Sequence, residues 1–327
     1  MAERSSRDAA ARRFVLLFAL SLTAPPALAE SLGDALPAYD PINRRYVPEP
    51  LKPAGETIAD AVSASGHDAS RSVATDDLLQ RLRSGFALPE VDHPSIDAHL
   101  SWYARNPEYL ERVFGRAELY LHHIVGEIEA RGMPLELALL PVIESAFEPF
   151  AYSRARAAGL WQFIPGTGER FGLPQNWWYD GRRDVLESTR AALDYLQFMH
   201  DEFNGDWLLA AAGYNCGEHC VLRAIRENQA QGKPIDFWSL RLPAETRAYV
   251  PKLLAMSRLV ANPELYGIAF SQIPNEPYFV KVDTGGQIDL KLAAELAGIT
   301  HEELSELNPA FHRWATPPQG PVFGMGH

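Results

Sequence analysis

The chain has 327 residues, of which 46% are hydrophobic and 22% charged, and its formal net charge is −12. This is the length and composition of an ordinary globular protein of about two domains with a real core. The acidic balance, with no basic cluster outside the N-terminus, excludes a general nucleic-acid binder.

Residues 1–29 read as a secretory signal peptide. Arg4, Arg7, Arg12 and Arg13 outweigh Glu3 and Asp8, an apolar run follows from Phe14 to Leu22, and Ala27-Leu28-Ala29 offers a small-residue cleavage site. Pro25-Pro26 and the shortness of the run argue against a membrane span, which needs about 20 apolar residues. No cysteine lies near the cleavage point, so no site for a lipid anchor is evident. The expected destination is therefore outside the inner membrane, in the periplasm. Residues 30–75, rich in Ala, Pro, Ser and Asp, bury too little apolar surface to offset their ordering cost and are expected to form a flexible linker.

Order is expected from Asp76. Helices are predicted around Asp77 to Ser84, around Ser95 to Ala104, and as one long helix from Pro107 to Arg131 that Gly132 stops. A short apolar helix then follows Pro134, with Leu137, Leu140 and Ile143 near helical spacing. At its end sits Glu144. A carboxyl at the end of a buried helix meets low dielectric and the negative end of the helix dipole, and both raise its pKa. That suits a general acid near neutral pH; for a lone glutamate, a solvated edge or a pairing with Arg154 or Arg156 is the ordinary alternative.

Further helices are expected from Pro165 to Arg170, from a cap at Asp184 to about Phe203, and from a cap at Asp206 through Asn215. Two more are expected at 218–230 and 244–261. Trp177-Trp178-Tyr179 forms an aromatic cluster that either packs its loop or faces sugar rings. Cys216 and Cys220 are read first as two unpaired small core residues, with a bridge as the alternative, because a four-residue helical step suits bridge geometry poorly. Three ligands bunched in Cys216-x-x-His219-Cys220 make a poor metal shell, and no metal is expected. From Tyr278 the pattern changes to a short strand, Phe279 to Val282, and two helices, Leu290 to Ala297 and His301 to Leu307.

Glu144-Ser145, Ser153 nine residues after the acid, Gly159-Leu160-Trp161-Gln162 and Ala212-Gly213-Tyr214-Asn215-Cys216-Gly217 together resemble the soluble-type lytic transglycosylases of glycoside hydrolase family 23, whose fold is goose-lysozyme-like. Tyr179-Asp180-x-Arg182-Arg183-Asp184, Asp236-Phe237-Trp238-Ser239-Leu240 and Glu245-Thr246-x-x-Tyr249-Val250-Pro251-Lys252 resemble the membrane-bound type D subgroup. The resemblance covers roughly residues 76 to 265; Gly213 replaces the usual alanine, a small-for-small change.

The resemblance implies a mainly α, lysozyme-like catalytic domain at 76–266 and a partial α+β module similar to lysin-motif (LysM) domains at 267–327, either a sugar binder or a packed appendage. It implies cleavage of peptidoglycan glycan strands between N-acetylmuramic acid and N-acetylglucosamine, leaving 1,6-anhydromuramic ends, with Glu144 as the catalytic acid and no cofactor. It places Ser145, Ser153, Gly159, Gln162, Tyr214, Asn215 and Tyr249 in the substrate cleft. Two other readings stay open: a hydrolytic muramidase in which Asp180 or Asp184 positions a water, and an inactive peptidoglycan-binding protein. Exo- or endo-action, stem-peptide preference and oligomeric state are not readable from these residues.

Overall fold

The structure, a computed structural model, describes residues 16–18, 75–284 and 286–318. Apart from Leu16–Phe18, the expected leader and almost all of the expected linker lie outside the described residues, as does the chain beyond 318.

Helices form where apolar spacing meets a capping side chain. Asp77 accepts the Leu79 N–H (3.0 Å) and starts α1, Leu78–Ser84. Pro residues in the first turn open α2 (Pro94–Ala104) and α3 (Pro107–Ala117), where a missing N–H costs nothing. The single helix expected from Pro107 to Arg131 is in fact two, α3 and then α4, Leu121–Ala130. At the break the N–H groups of Leu119 and Tyr120 reach back three residues, to Arg116 and Ala117 (3.3 and 2.9 Å), so the helix tightens and stops. Tyr120 is fully buried there, and its hydroxyl donates to the Glu306 carbonyl (2.7 Å). No Gly or Pro marks this break in the sequence.

The apolar stretch after Pro134 also divides, into a 3₁₀ turn, Leu135–Leu139, and α5, Leu140–Ser145. Pro141 has no N–H to continue an α-helical ladder from Leu137, so the α-helix restarts with proline in its first turn. Then come α6 (Pro165–Arg170), α7 (Val185–Glu202), α8 (Trp207–Cys216), α9 (Glu218–Ala230) and α10 (Ala244–Ala261). Asp184 caps α7 through the Glu187 N–H (2.9 Å), and Asp206 caps α8 through Leu208 and Leu209 (2.8 and 3.0 Å).

The core is built where α10 packs on α2 and α8, and α8 on α7. Small buried residues, Ala210 to Gly213, let α8 approach its neighbours closely. A methyl group at Gly213 would lie 2.8 Å from both the Met199 sulfur and the Phe203 ring, so the glycine answers to its bulky neighbours. Between α8 and α9 the chain turns at Gly217 (φ +85°), and here the structure corrects the reading of two unpaired cysteines. Cys216 and Cys220 are bridged, with Cα atoms 5.9 Å apart. The expectation assumed a helix running through both; the break at Gly217 removes that premise.

Toward the C-terminus, β2 (Val280–Val282) pairs in parallel with β1 (Leu16–Phe18), Leu16 opposite Val280. Two capped helices follow, α11 (Leu290–Ala297) behind Asp289 and α12 (His301–Leu307) behind a Thr300–Glu303 capping box. Leu290, Ala293, Ala294 and Leu304 form a small core of their own. The module is packed down on the helical body. Leu307 belongs to the main core, the Asp180 N–H bonds the Ala310 carbonyl and the His312 N–H the Trp178 carbonyl (both 2.9 Å), and Tyr179 meets Phe311 with ring centres 5.8 Å apart.

Candidate active site

Everything that converges on Glu144 starts from the way α5 ends. Two consecutive non-glycine residues, Ala146 (φ 51°) and Phe147 (φ 55°), take the left-handed conformation that L side chains disfavour. Three contacts hold them there. The Phe147 side chain is fully buried, its N–H bonds the Pro141 carbonyl (3.1 Å), and Arg116 donates to the Ala146 carbonyl (3.1 Å). Backbone strain of this kind persists where the surroundings over-determine it and concentrates at functional sites.

The Ser145 hydroxyl donates to the Leu160 carbonyl (2.9 Å), lashing the end of α5 to the Gly159–Gln162 block. That block needs its glycine: at φ +79° a methyl on Gly159 would lie 2.1 Å from the Arg182 carbonyl oxygen. Arg182 is itself fixed by a two-pronged pair with Asp180 (2.9 and 2.7 Å) and by bonds to the carbonyls of Arg156 (2.6 Å) and Phe163 (3.2 Å). Trp161, fully buried, donates its indole N–H to the Thr189 hydroxyl (3.0 Å). Gln162, also left-handed (φ 49°), donates its amide to the Gly159 carbonyl (2.9 Å). Ser153 accepts the Ala157 N–H (3.0 Å) and closes the turn before the block.

From the other side come α8 and α10. The Tyr214 hydroxyl donates to the Trp161 carbonyl (2.8 Å), and Asn215 accepts from the Thr246 hydroxyl (2.7 Å). Tyr249, buried on α10, donates to Glu144 Oε1 at 2.5 Å. Ser145, Gly159, Gln162, Tyr214 and Tyr249 are thus tied to Glu144 or to the block beside it. Asn215 joins through Thr246, and Ser153 stands at the turn leading in.

Burial pushes the Glu144 carboxyl up to about 7, and the nearby Glu245 charge adds to the rise; the Tyr249 hydrogen bond and the Lys252 charge oppose it. Burial and the Glu144 charge hold the Tyr214 and Tyr249 phenols well above their usual range, so both remain donors. Asp180 and Asp184 are occupied elsewhere. The first is clamped by Arg182, and the second caps α7 and accepts the Tyr179 hydroxyl (2.8 Å). The carboxylate whose charge reaches Glu144 is Glu245, which sequence reasoning missed together with Lys252. Their signal was present: Glu245, Tyr249 and Lys252 follow at steps of four and three on one face of α10. Among the described residues no cluster of His, Cys, Asp and Glu is arranged to hold a metal, and no helix is long and apolar enough to cross a membrane.

The helical body around Glu144 is mainly α, as expected from the sequence. Residues 126–237 match the transglycosylase SLT domain and residues 278–322 the LysM-like domain of lytic transglycosylase MltD. It is similar to membrane-bound lytic murein transglycosylase D of Escherichia coli (strain K12), with 41% identity over 276 residues, 83% of this chain and 60% of that protein. The chain therefore spans less than two thirds of that relative. A protein of Alteromonas sp. (strain M-1) named for tributyltin chloride resistance is 42% identical over 162 residues, 50% of this chain and 76% of its own length. Among solved structures, an inactive mutant of lytic transglycosylase Slt from Pseudomonas aeruginosa is 26% identical with a TM-score of 0.33, over 46% of this chain and 25% of that one.

Proposed function

We propose that the chain cleaves the β-1,4 bond between N-acetylmuramic acid and N-acetylglucosamine in peptidoglycan as a lytic transglycosylase. The observation that carries this reading is Glu144, a half-buried carboxyl whose pKa is pushed up to about 7 while Tyr249 fixes one of its oxygens. Such a group is a competent acid at neutral pH. It protonates the glycosidic oxygen as the bond to C1 breaks. The resulting carboxylate then takes the proton of the muramic C6 hydroxyl, whose oxygen closes on C1 of the same sugar. Atoms balance without water, and the product is a 1,6-anhydromuramic end. The substrate's acetamido group supplies the electrons that a second carboxylate gives in other glycosidases.

Tyr249 and Tyr214, kept as phenols, orient the acid and the block beside it; Gln162, Asn215 and Ser153 supply amide and hydroxyl groups to the cleft. In this reading the catalytic domain runs over 76–266 and the LysM-like module over 267–327, and the arginine-led N-terminus directs export to the periplasm. The engagement of Asp180 and Asp184 away from Glu144 argues against the muramidase alternative.

Mass analysis of fragments released from cell-wall sacculi in oxygen-18 water tests the proposal. Anhydromuramic ends, lighter by one water and free of label, are expected, and Glu144→Gln is expected to abolish release with the fold intact. Labelled reducing ends would establish a hydrolase instead, and full activity in Glu144→Gln would overturn both mechanisms.

A further inference from the structure

A pocket of about 380 Å³ opens next to Glu144 and takes no part in the mechanism above. Val142 and Ile143, the two residues before the acid on α5, form part of its lining. Trp102, Tyr103 and Tyr109, from α2 and α3, line it as well, packed as an aromatic corner: Trp102 meets both tyrosines edge-on, with ring centres 5.4 and 5.2 Å apart. Trp102 keeps 45% of its surface exposed, so part of this wall is open to a ligand.

The polar lining is sparse and of one sign. Lys252 enters from α10, one turn beyond Tyr249, and makes no ion pair among the described residues. His99 lies beside it, its pKa lowered by burial and by the Lys252 charge, so near neutrality the ammonium is the fixed charge. No acidic residue lines the pocket. An aromatic corner with one ammonium suits a small apolar group beside a carboxylate.

The muramic residue whose C1 faces Glu144 carries such groups on O3 of the same ring, where a lactyl unit begins a short peptide of alanyl methyls and free carboxylates. We propose that this pocket receives the peptide stem of the muramic residue being cleaved, with Lys252 pairing with a stem carboxylate and Trp102, Tyr103 and Tyr109 holding the apolar groups. The proposal rests on the reading of Glu144 as the glycan-cleaving acid. It also gives Lys252 a second effect: a bound carboxylate offsets the charge that draws the proton off Glu144, so a stem-bearing substrate keeps the acid protonated.

The test compares glycan strands that carry stems with strands stripped of them by an amidase, in the wild type, Lys252→Gln, Lys252→Arg and Trp102→Ala. The ratio of kcat/KM for the two substrates cancels any change common to both and keeps only what depends on the stem. Lys252→Gln and Trp102→Ala are expected to lower the ratio about tenfold, the scale of one charge-assisted hydrogen bond, and Lys252→Arg to preserve it. A ratio unchanged in both variants overturns the proposal, whatever happens to the individual rates. If the wild type cleaves neither strand, the reading of Glu144 fails, and calorimetry with an N-acetylmuramoyl dipeptide decides the pocket separately. Binding that is lost in Lys252→Gln, in Trp102→Ala and on amidation of the dipeptide's carboxylates supports it; absent binding, or binding indifferent to these changes, overturns it.

Discussion

At the scale of single residues, Glu144 links catalysis to stability. The unfolded chain ionises this carboxyl near 4.5, whereas the folded chain holds the proton to about 7. Between those values the native state binds more protons than the unfolded one, so stability falls as pH rises through this window and is level on either side. The neutral Glu144→Gln variant lacks this dependence. It is expected to match the wild type below pH 4.5 and to exceed it by about 3 kcal/mol above pH 7, read from denaturant unfolding at pH 4, 6 and 8. The charges on α10 supply a second check with opposed signs. Glu245 raises the Glu144 pKa and Lys252 lowers it. Glu245→Gln should move the alkaline limb of the kcat profile to lower pH, and Lys252→Gln should move it to higher pH. Shifts in the same direction would show that neither charge acts through Glu144.

At the scale of elements, what was legible in the sequence is what announces itself locally. Asp184 and Asp206 cap the helices expected of them because a short acid before an apolar run satisfies orphan N–H groups without help from the rest of the fold. The split between α3 and α4 carries no such mark, since it follows from burying Tyr120 against Glu306, a residue far along the chain. The pocket beside Glu144 was unreadable for the same reason, being assembled from α2, α3, α5 and α10. Gly217 stood in plain view, yet its effect on the cysteines depended on its φ of +85°. The bridge there closes a very short loop, for which chain entropy predicts about 2 kcal/mol of stabilisation. A Cys216→Ser, Cys220→Ser double variant is expected to lose that amount in chemical denaturation. Because Tyr214 and Asn215, just before Cys216, are held independently of the bridge by Trp161 and Thr246, turnover should fall less than stability.

At the scale of the whole molecule, the residues between Tyr266, the expected end of the catalytic domain, and Tyr278, where the sequence pattern changes, pack with the helical body. Residues beyond Tyr266 return to the start of the helical body before the module begins. The Leu78 N–H bonds the Ile273 carbonyl (2.8 Å), the Asn275 N–H bonds the Asp76 carbonyl (3.1 Å), and Pro274 bridges to Asp77. Ile268 and Ile273 are buried in the main core, and Phe270 meets the Phe114 ring with centres 4.5 Å apart. This strap closes the N-terminal end of α1, whereas the module proper touches the body through Leu307, Tyr120 and the loop at Trp178–Asp180. Two truncations separate the contributions. A chain ending at Pro277 keeps the strap and loses only the module's contacts; a chain ending at Tyr266 loses both. Each buried isoleucine is worth about 1.5–3 kcal/mol, so the shorter chain is expected to be less stable than the longer one by about 3–6 kcal/mol, a difference on the order of ten degrees in Tm. Equal melting temperatures for the two would show that the strap adds nothing to the body, and would return the boundary to Tyr266.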